Sequence, residues 1–215
     1  MLCIGLDLIN KQSKDYKNLI DITKDYCDFY KLNPAFFNDP NIILEIAEYL
    51  NYLKLQWIYD GKIGDVLHTN KQYANYIYHV LNASGVTLNP FVGFDALAPF
   101  IEHEDKYNFI LCRTSNSGSK LIQDFAWKQI SNFAHMSNSG LVVAGNSVPF
   151  LKQIREFNPK SLILSPGIGA QGGAIEETIQ NVIYSVSRSI INSEDPGSAA
   201  MKYRQNIHGH AGDYQ

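Results

Sequence analysis

Apolar residues recur along this chain in short runs that end in charge or glycine, and a stretch with helical spacing follows almost every run. Leu2 to Leu6 ends at Asp7, and Ser13 to Tyr26 continues with helical spacing. Phe29 to Leu32 encloses Lys31 and closes at Asn33-Pro34; Asp39-Pro40 then predicts an N-cap and first-turn proline for a helix through Leu53. A third run, Leu55 to Gly61, precedes a helix over about 70–81. The fourth, Gly85 to Pro90, precedes a short helix over 94–101. Asn108 to Arg113 leads into a polar loop and a helix through about His135, and Gly140 to Gly145 into a helix from Pro149 to Phe157. Leu162 to Ser165 runs into a glycine-rich segment and a short helix. Val182 to Val186 ends at Ser187-Arg188, and Ala199 to about Ile207 is the last helix.

Alternating apolar strands and helices call for a parallel sheet, and this succession of strand–helix units predicts a closed (β/α)8 TIM barrel of class α/β. A doubly wound open sheet has the same periodicity, because spacing does not report closure. No composition shift divides the chain, so a single domain is expected over 1–215, with a frayed polar tail after about residue 208. Such barrels usually take ~250 residues, so the loops here must be short.

Polar residues fall where this architecture puts its chemistry. Asp7, Lys31, Asp60, Lys62, Asn89, Arg113 to Ser115, Gln171 and Arg188 all lie in or just beyond the C-terminal ends of the runs, and that end of a barrel carries the site. The densest group is Asp60-Gly61-Lys62-Ile63-Gly64-Asp65. Strand alternation points Asp60 and Lys62 the same way, while Asp65 and Thr69 lie past the strand end, free to turn back or toward a partner chain. A surface turn would hold such charges in water at little cost, but the apolar run before Asp60 places it at the end of a buried element.

The segment Pro166 to Gly173 holds four glycines. Glycine lets backbone N–H groups approach an anion closely, and a helix start favours negative charge. Alone, such a loop is often a mere turn. Arg188 at the end of the next strand sharpens it, because barrels frequently bind phosphate after strands seven and eight and a guanidinium grips phosphate oxygens bidentately. The bland alternative for Arg188 is a surface ion pair.

Bulk numbers narrow the partners. A formal net charge of −3 gives no basic surface for nucleic acid. No apolar run approaches a membrane span of ~18 residues, and no signal peptide is legible at Met1 to Asp7. The three cysteines, Cys3, Cys27 and Cys112, are odd in number and far apart, which fits a reducing, cytoplasmic setting. His208-Gly209-His210 offers two candidate ligands without a third, so a polar tail is expected there rather than a metal site; His68 and His79 are expected as helix-surface or packing residues.

Taken together, Lys31-x-Asn-Pro-Ala-Phe-Phe, Asp60-x-Lys-x-x-Asp, Thr114-Ser-Asn-x-Gly, Pro166-Gly-Ile-Gly-Ala-Gln-Gly-Gly and Ser187-Arg-x-Ile resemble the orotidine 5′-phosphate decarboxylase family in its longer bacterial branch. The resemblance runs from Gly5-Leu6-Asp7 to about Pro196. It implies a homodimer of (β/α)8 barrels that converts orotidine 5′-phosphate to UMP and CO2, the last step of de novo pyrimidine biosynthesis, with no metal or organic cofactor. It places the catalytic charge array on Lys31, Asp60, Lys62 and Asp65, with Asp65 and Thr69 entering the neighbouring subunit's site. Asp7 would contact the ribose side, Ser115 the pyrimidine ring, and Gln171 and Arg188 the phosphate. The branch commonly has Ala at Gly61 and Ile at Val66, and usually carries an additional helical segment before the first strand, so one barrel end is expected to be less covered here. Three rivals remain: magnesium-dependent sugar-phosphate decarboxylases and hexulose-phosphate synthases that share Asp-x-Lys-x-x-Asp, a nucleotide-binding protein that kept only the phosphate site, and a phosphate-binding barrel of unrelated chemistry, against which the Lys31 match counts.

Overall fold

A computed structural model describes residues 1–169, 172–173, 175–176 and 179–208, with only the backbone at His208. Its eight strands close into a barrel in sequential order: β1 (Leu2–Gly5), β2 (Phe29–Leu32), β3 (Trp57–Ile63), β4 (Gly85–Leu88), β5 (Tyr107–Arg113), β6 (Gly140–Val143), β7 (Ile163–Pro166) and β8 (Val182–Val186). Every pairing is parallel, and β1 against β8 seals the ring through Cys3↔Ser185. Closure removes the exposed edges of an open sheet, so the doubly wound alternative falls.

Strand alternation sorts the side chains into two cores. Cys3, Phe29, Ile58, Phe109, Val142, Leu164 and Ile183 fill the barrel interior. Ile4, Tyr30, Leu32, Trp57, Tyr59, Val86, Ile110 and Val143 face outward beneath the helices. Those helices are α1 (Ser13–Thr23), α2 (Pro40–Tyr52), α3 (Leu67–Asn75), α4 (Ala98–Ile101), α5 (Gln123–Met136), α6 (Val148–Phe157), α7 (Arg188–Ile191) and α8 (Pro196–His208). Asp39 caps α2 as its sequence predicts, its carboxylate accepting from the Asn41 N–H at 2.9 Å with Pro40 following.

Three differences from the sequence expectation bear on the site. First, β3 starts at Trp57 rather than Leu55, because the Leu55 N–H still bonds the Leu50 carbonyl (2.9 Å) and Lys54 sits at φ +57, closing α2 with a left-handed residue. Second, α3 begins at Leu67, before Asn70, and runs on as a π-helical turn over Tyr76–Val80. Third, the short helix expected after Gly173 is not present at Ile175, Glu176 or Ile179. In its place a glycine turn closes on itself, the Gly169 N–H donating to Gly173 O at 2.9 Å and the Gly173 N–H to Gly167 O at 3.1 Å. Gly169 and Gly172 have φ of +76 and +77, which a side chain would strain.

Candidate active site

Lys31 and Asp60 occupy the interior-facing positions above Phe29 and Ile58, where an apolar barrel filling gives way to charge. Both are buried, at 7% exposure each. The Lys31 ammonium donates to Asp60 Oδ2 at 2.5 Å, and the Lys62 ammonium donates to Asp60 Oδ1 at 2.8 Å. One carboxylate therefore stands between two cations. Burial alone would push the Asp60 carboxyl upward, but Lys31 and Lys62 outweigh it and hold it below its ordinary value. For Lys31 the balance is the same in mirror image: burial would lower its pKa, yet Asp60 and Asp7 raise it. Asp60 and Lys31 are thus held in their charged forms, which their burial tolerates only because each has an opposite neighbour; Lys62 reaches Asp60 from the exposed side, its side chain 44% exposed.

Simple alternation does not account for the meeting of Asp60 and Lys62. The β3–β4 ladder is regular at Tyr59↔Val86 but next registers at Ile63↔Leu88, so three residues of β3 face Thr87 alone. Lys62 lies in the left-handed region at φ +49. Its backbone N–H donates to Thr87 Oγ1 at 3.0 Å, and that hydroxyl donates to Asp60 Oδ1 at 2.8 Å. Thr87 is 1% exposed. The sequence offered one signal for it, a polar residue inside an apolar strand, yet the eye is drawn to Asn89 two positions on. Asn89 instead caps the turn over Pro90–Val92 through the Phe91 N–H. Two glycines permit the packing: a Cβ at Gly61 would come within 2.5 Å of the Tyr59 ring, and one at Gly64 within 2.8 Å of the Asn89 backbone oxygen.

Asp7, Lys31, Asp60, Lys62, Ser115 and Arg188 share the lining of one pocket at the C-terminal mouth of the barrel. Asn33, Thr114 and Ser187 add polar groups to the wall, and Leu111, Val142 and Ile168 an apolar floor. Asp7 Oδ1 is a buried oxygen without a hydrogen-bond partner among the described residues. Arg188 is exposed at the rim, at the start of α7 directly after β8, and forms no ion pair among the described residues, so the surface ion-pair alternative for it finds no partner there. Gln171 lies outside the described residues. Arg113 turns the other way, pairing with Asp124 of α5 and lying over the Phe150 ring, which makes it a packing residue.

Asp65 and Thr69 are not in that pocket. The Asp65 carboxylate accepts from its own neighbour's N–H, at Val66 (2.7 Å), and makes no ion pair with Lys31 or Lys62 within the chain. Its backbone is held by the buried Asn70, whose amide donates to the Asp65 carbonyl and to Ala96 O, both at 2.7 Å. Asn70 is a second residue whose part the sequence reading missed. No group of His, Cys, Asp and Glu arranged to hold a metal occurs among the described residues; His68 and His79 are exposed, and His210 lies outside them.

Comparison with known proteins converges on one family. The chain matches the family described as orotidine 5′-phosphate decarboxylase / HUMPS over residues 1–203. It is 36% identical over 207 aligned residues to an orotidine 5′-phosphate decarboxylase of Dehalococcoides mccartyi, covering 84% of this chain and 76% of the relative. A second such enzyme, from Leptospira interrogans, is 31% identical over 97% of this chain and 89% of its own. Among solved structures, an OMP decarboxylase of Leishmania donovani superposes with a TM-score of 0.86 at 29% identity, over 97% of this chain and 92% of that one.

Proposed function

We infer that this chain, which belongs to the orotidine 5′-phosphate decarboxylase / HUMPS family, catalyses the decarboxylation of orotidine 5′-phosphate to UMP and CO2 in pyrimidine biosynthesis. The observation that carries the assignment is the Lys31–Asp60–Lys62 triad at the mouth of a pocket that also holds Arg188. A nucleotide anchored by its phosphate at Arg188, with Gln171 as a further amide donor, extends its ring toward the triad. Asp7 meets the ribose and Ser115 the pyrimidine. Remote phosphate contacts of this kind supply binding energy that positions the reacting carbon.

The reaction breaks the bond between the ring carbon and its carboxylate. CO2 departs and the electron pair stays on a carbon that has no conjugated sink. Preorganised charge must therefore stabilise it. The Lys62 ammonium does so first as a cation and then transfers a proton to the carbon, leaving an amine that regains its proton from water. Asp60 faces the departing carboxylate. Two unit charges ~4 Å apart interact by about 4 kcal/mol at an effective dielectric near 20, and this repulsion vanishes as neutral CO2 forms. Lys31 keeps Asp60 ionised and fixed. None of these steps calls on a metal or organic cofactor.

The working unit is a homodimer in which Asp65 and Thr69 of each chain complete the neighbour's site. Support comes from their position outside their own pocket and from exposed apolar side chains in the segments that follow β3, β4 and β5: Val66, Leu67, Phe91, Leu121, Ile122 and Phe125. A cytoplasmic setting accords with the free thiols of Cys3, Cys27 and Cys112; among the described residues no helix is long and apolar enough to cross a membrane. The test is to follow loss of orotidine 5′-phosphate absorbance in buffer containing EDTA. Turnover is expected without added metal; no turnover at all overturns the assignment, and turnover only with magnesium shifts it toward the metal-using branch of the family.

A further inference from the structure

We propose that Thr87 is a positioning residue for the proton donor: its hydroxyl couples the backbone of Lys62 to the carboxylate of Asp60 and so fixes where the ammonium stands. The geometry dictates the direction of both hydrogen bonds. Oγ1 accepts from the Lys62 N–H at 3.0 Å, which leaves its own proton free for Asp60 Oδ1 at 2.8 Å, and an ionised carboxylate can only accept. Thr87 is the β4 residue that faces the irregular stretch of β3, between Val86 and Leu88, where the ladder skips from Tyr59 to Ile63. A side-chain oxygen there stands in for a strand carbonyl. It meets a residue whose φ of +49 is rare for a side chain as long as lysine. That turn is what brings Nζ of Lys62 back onto Asp60 two residues earlier, at 2.8 Å. Asp60 Oδ1 thus receives Lys62 twice over, directly through Nζ and indirectly through the Lys62 backbone by way of Thr87. The γ-methyl of a buried threonine restricts χ1, so the hydroxyl is presented in a set direction.

The rate predictions rest on the decarboxylase assignment; the geometric one does not. Thr87→Val keeps the volume and removes both hydrogen bonds. It is expected to lower kcat by about 10- to 100-fold, the scale of a displaced reacting group, with KM and the UMP dissociation constant changed less than about three-fold. Because Asp60 loses a donor to its charged form, the acidic limb of the kcat profile should move to higher pH. Thr87→Ser should restore both kcat and the limb to near the starting values. Should the valine variant fail to fold, Thr87→Cys, a weak donor of similar size, is read by the same measures. A valine or cysteine variant whose kcat and acidic limb are unchanged overturns the proposal, even with a lowered Tm. If the unaltered protein does not act on orotidine 5′-phosphate, the decarboxylase assignment fails alone. The crystal structure of the variant then decides for Thr87: loss of the left-handed φ at Lys62 or of its contact with Asp60 supports the coupling, and retention of both overturns it.

Discussion

The two sides of the barrel mouth are built differently. On the β2–β4 side, Lys31, Asp60, Lys62 and Thr87 hold one another in a closed set of short hydrogen bonds. On the β7–β8 side, Arg188 is exposed, and the N–H groups of Gly169, Gly172 and Gly173 bond back to carbonyls of their own segment. Chemistry that depends on placed charge cannot wait for the substrate to arrange it, since reorganising charges during reaction costs the very stabilisation they are to supply. A phosphate is different. It brings its own charge and can gather flexible donors as it binds.

Variants that break the rigid side should damage rate and stability, whereas those on the open side should damage affinity. The largest effect is expected for Lys62→Ala, which removes both the cation and the proton donor. Activity should fall by about 10⁴-fold or more while UMP binding stays measurable by calorimetry; substantial residual turnover would take the proton donor away from Lys62. Next comes Asp60→Ala, which leaves Lys31 buried without its partner and should cost about 3–5 kcal/mol in urea unfolding. A loss as small as that of a surface ion pair would show the triad to be wetter than its burial indicates.

The same pair predicts a pH dependence. The Asp60 carboxyl is held below its ordinary 3.8, so its contribution is full above about pH 4 and fades as pH falls below that value. Lys31 is held above its ordinary 10.5, so its contribution is full below about pH 10 and is lost on further rise. In Asp60→Ala the acid-side loss due to this carboxyl should disappear from the unfolding profile.

On the open side, Arg188→Ala should raise KM by an amount worth about 1.5–3 kcal/mol, the range of a charged hydrogen bond, with unfolding stability unchanged. An unaltered KM would put the phosphate elsewhere. Across the mouth, beyond β3, Asp65→Asn should likewise cost little stability, under about 0.5 kcal/mol, because among the described residues its carboxylate accepts only from its neighbour's N–H. Its activity should nevertheless collapse, and mixing it with Lys62→Ala should restore part through hybrid dimers; no recovery would argue that each chain holds a self-contained site.

Much of this architecture was written into the order of the residues. Short apolar runs alternating with helical stretches specified eight strands, and polar residues at their C-terminal ends marked Asp7, Lys31, Asp60, Lys62 and Arg188 as neighbours in one pocket. Those are consequences of burial and of parallel pairing, which local patterning controls. Two of the places where expectation slipped were governed by hydrogen bonds a few residues apart in the chain, which hydrophobic spacing does not report. Leu55 remained with α2 because of a hydrogen bond to Leu50, and Gly167, Gly169 and Gly173 are tied to one another by backbone hydrogen bonds after β7.

Thr87 depends instead on contacts between distant segments. Nothing in Val86-Thr87-Leu88 distinguishes a solvated threonine from a packed one, and alternation gives only a face, not a hydrogen-bond partner. Its role exists because the ladder slips between Tyr59 and Ile63, a register that two strands settle jointly. The sequence alone thus determined which elements form, which ends carry charge and to which family the motifs belong. The tertiary structure decided the register, the left-handed turn at Lys62 and the separation of Asp65 from the triad, since these depend on side chains meeting across segments whose spacing no local pattern encodes.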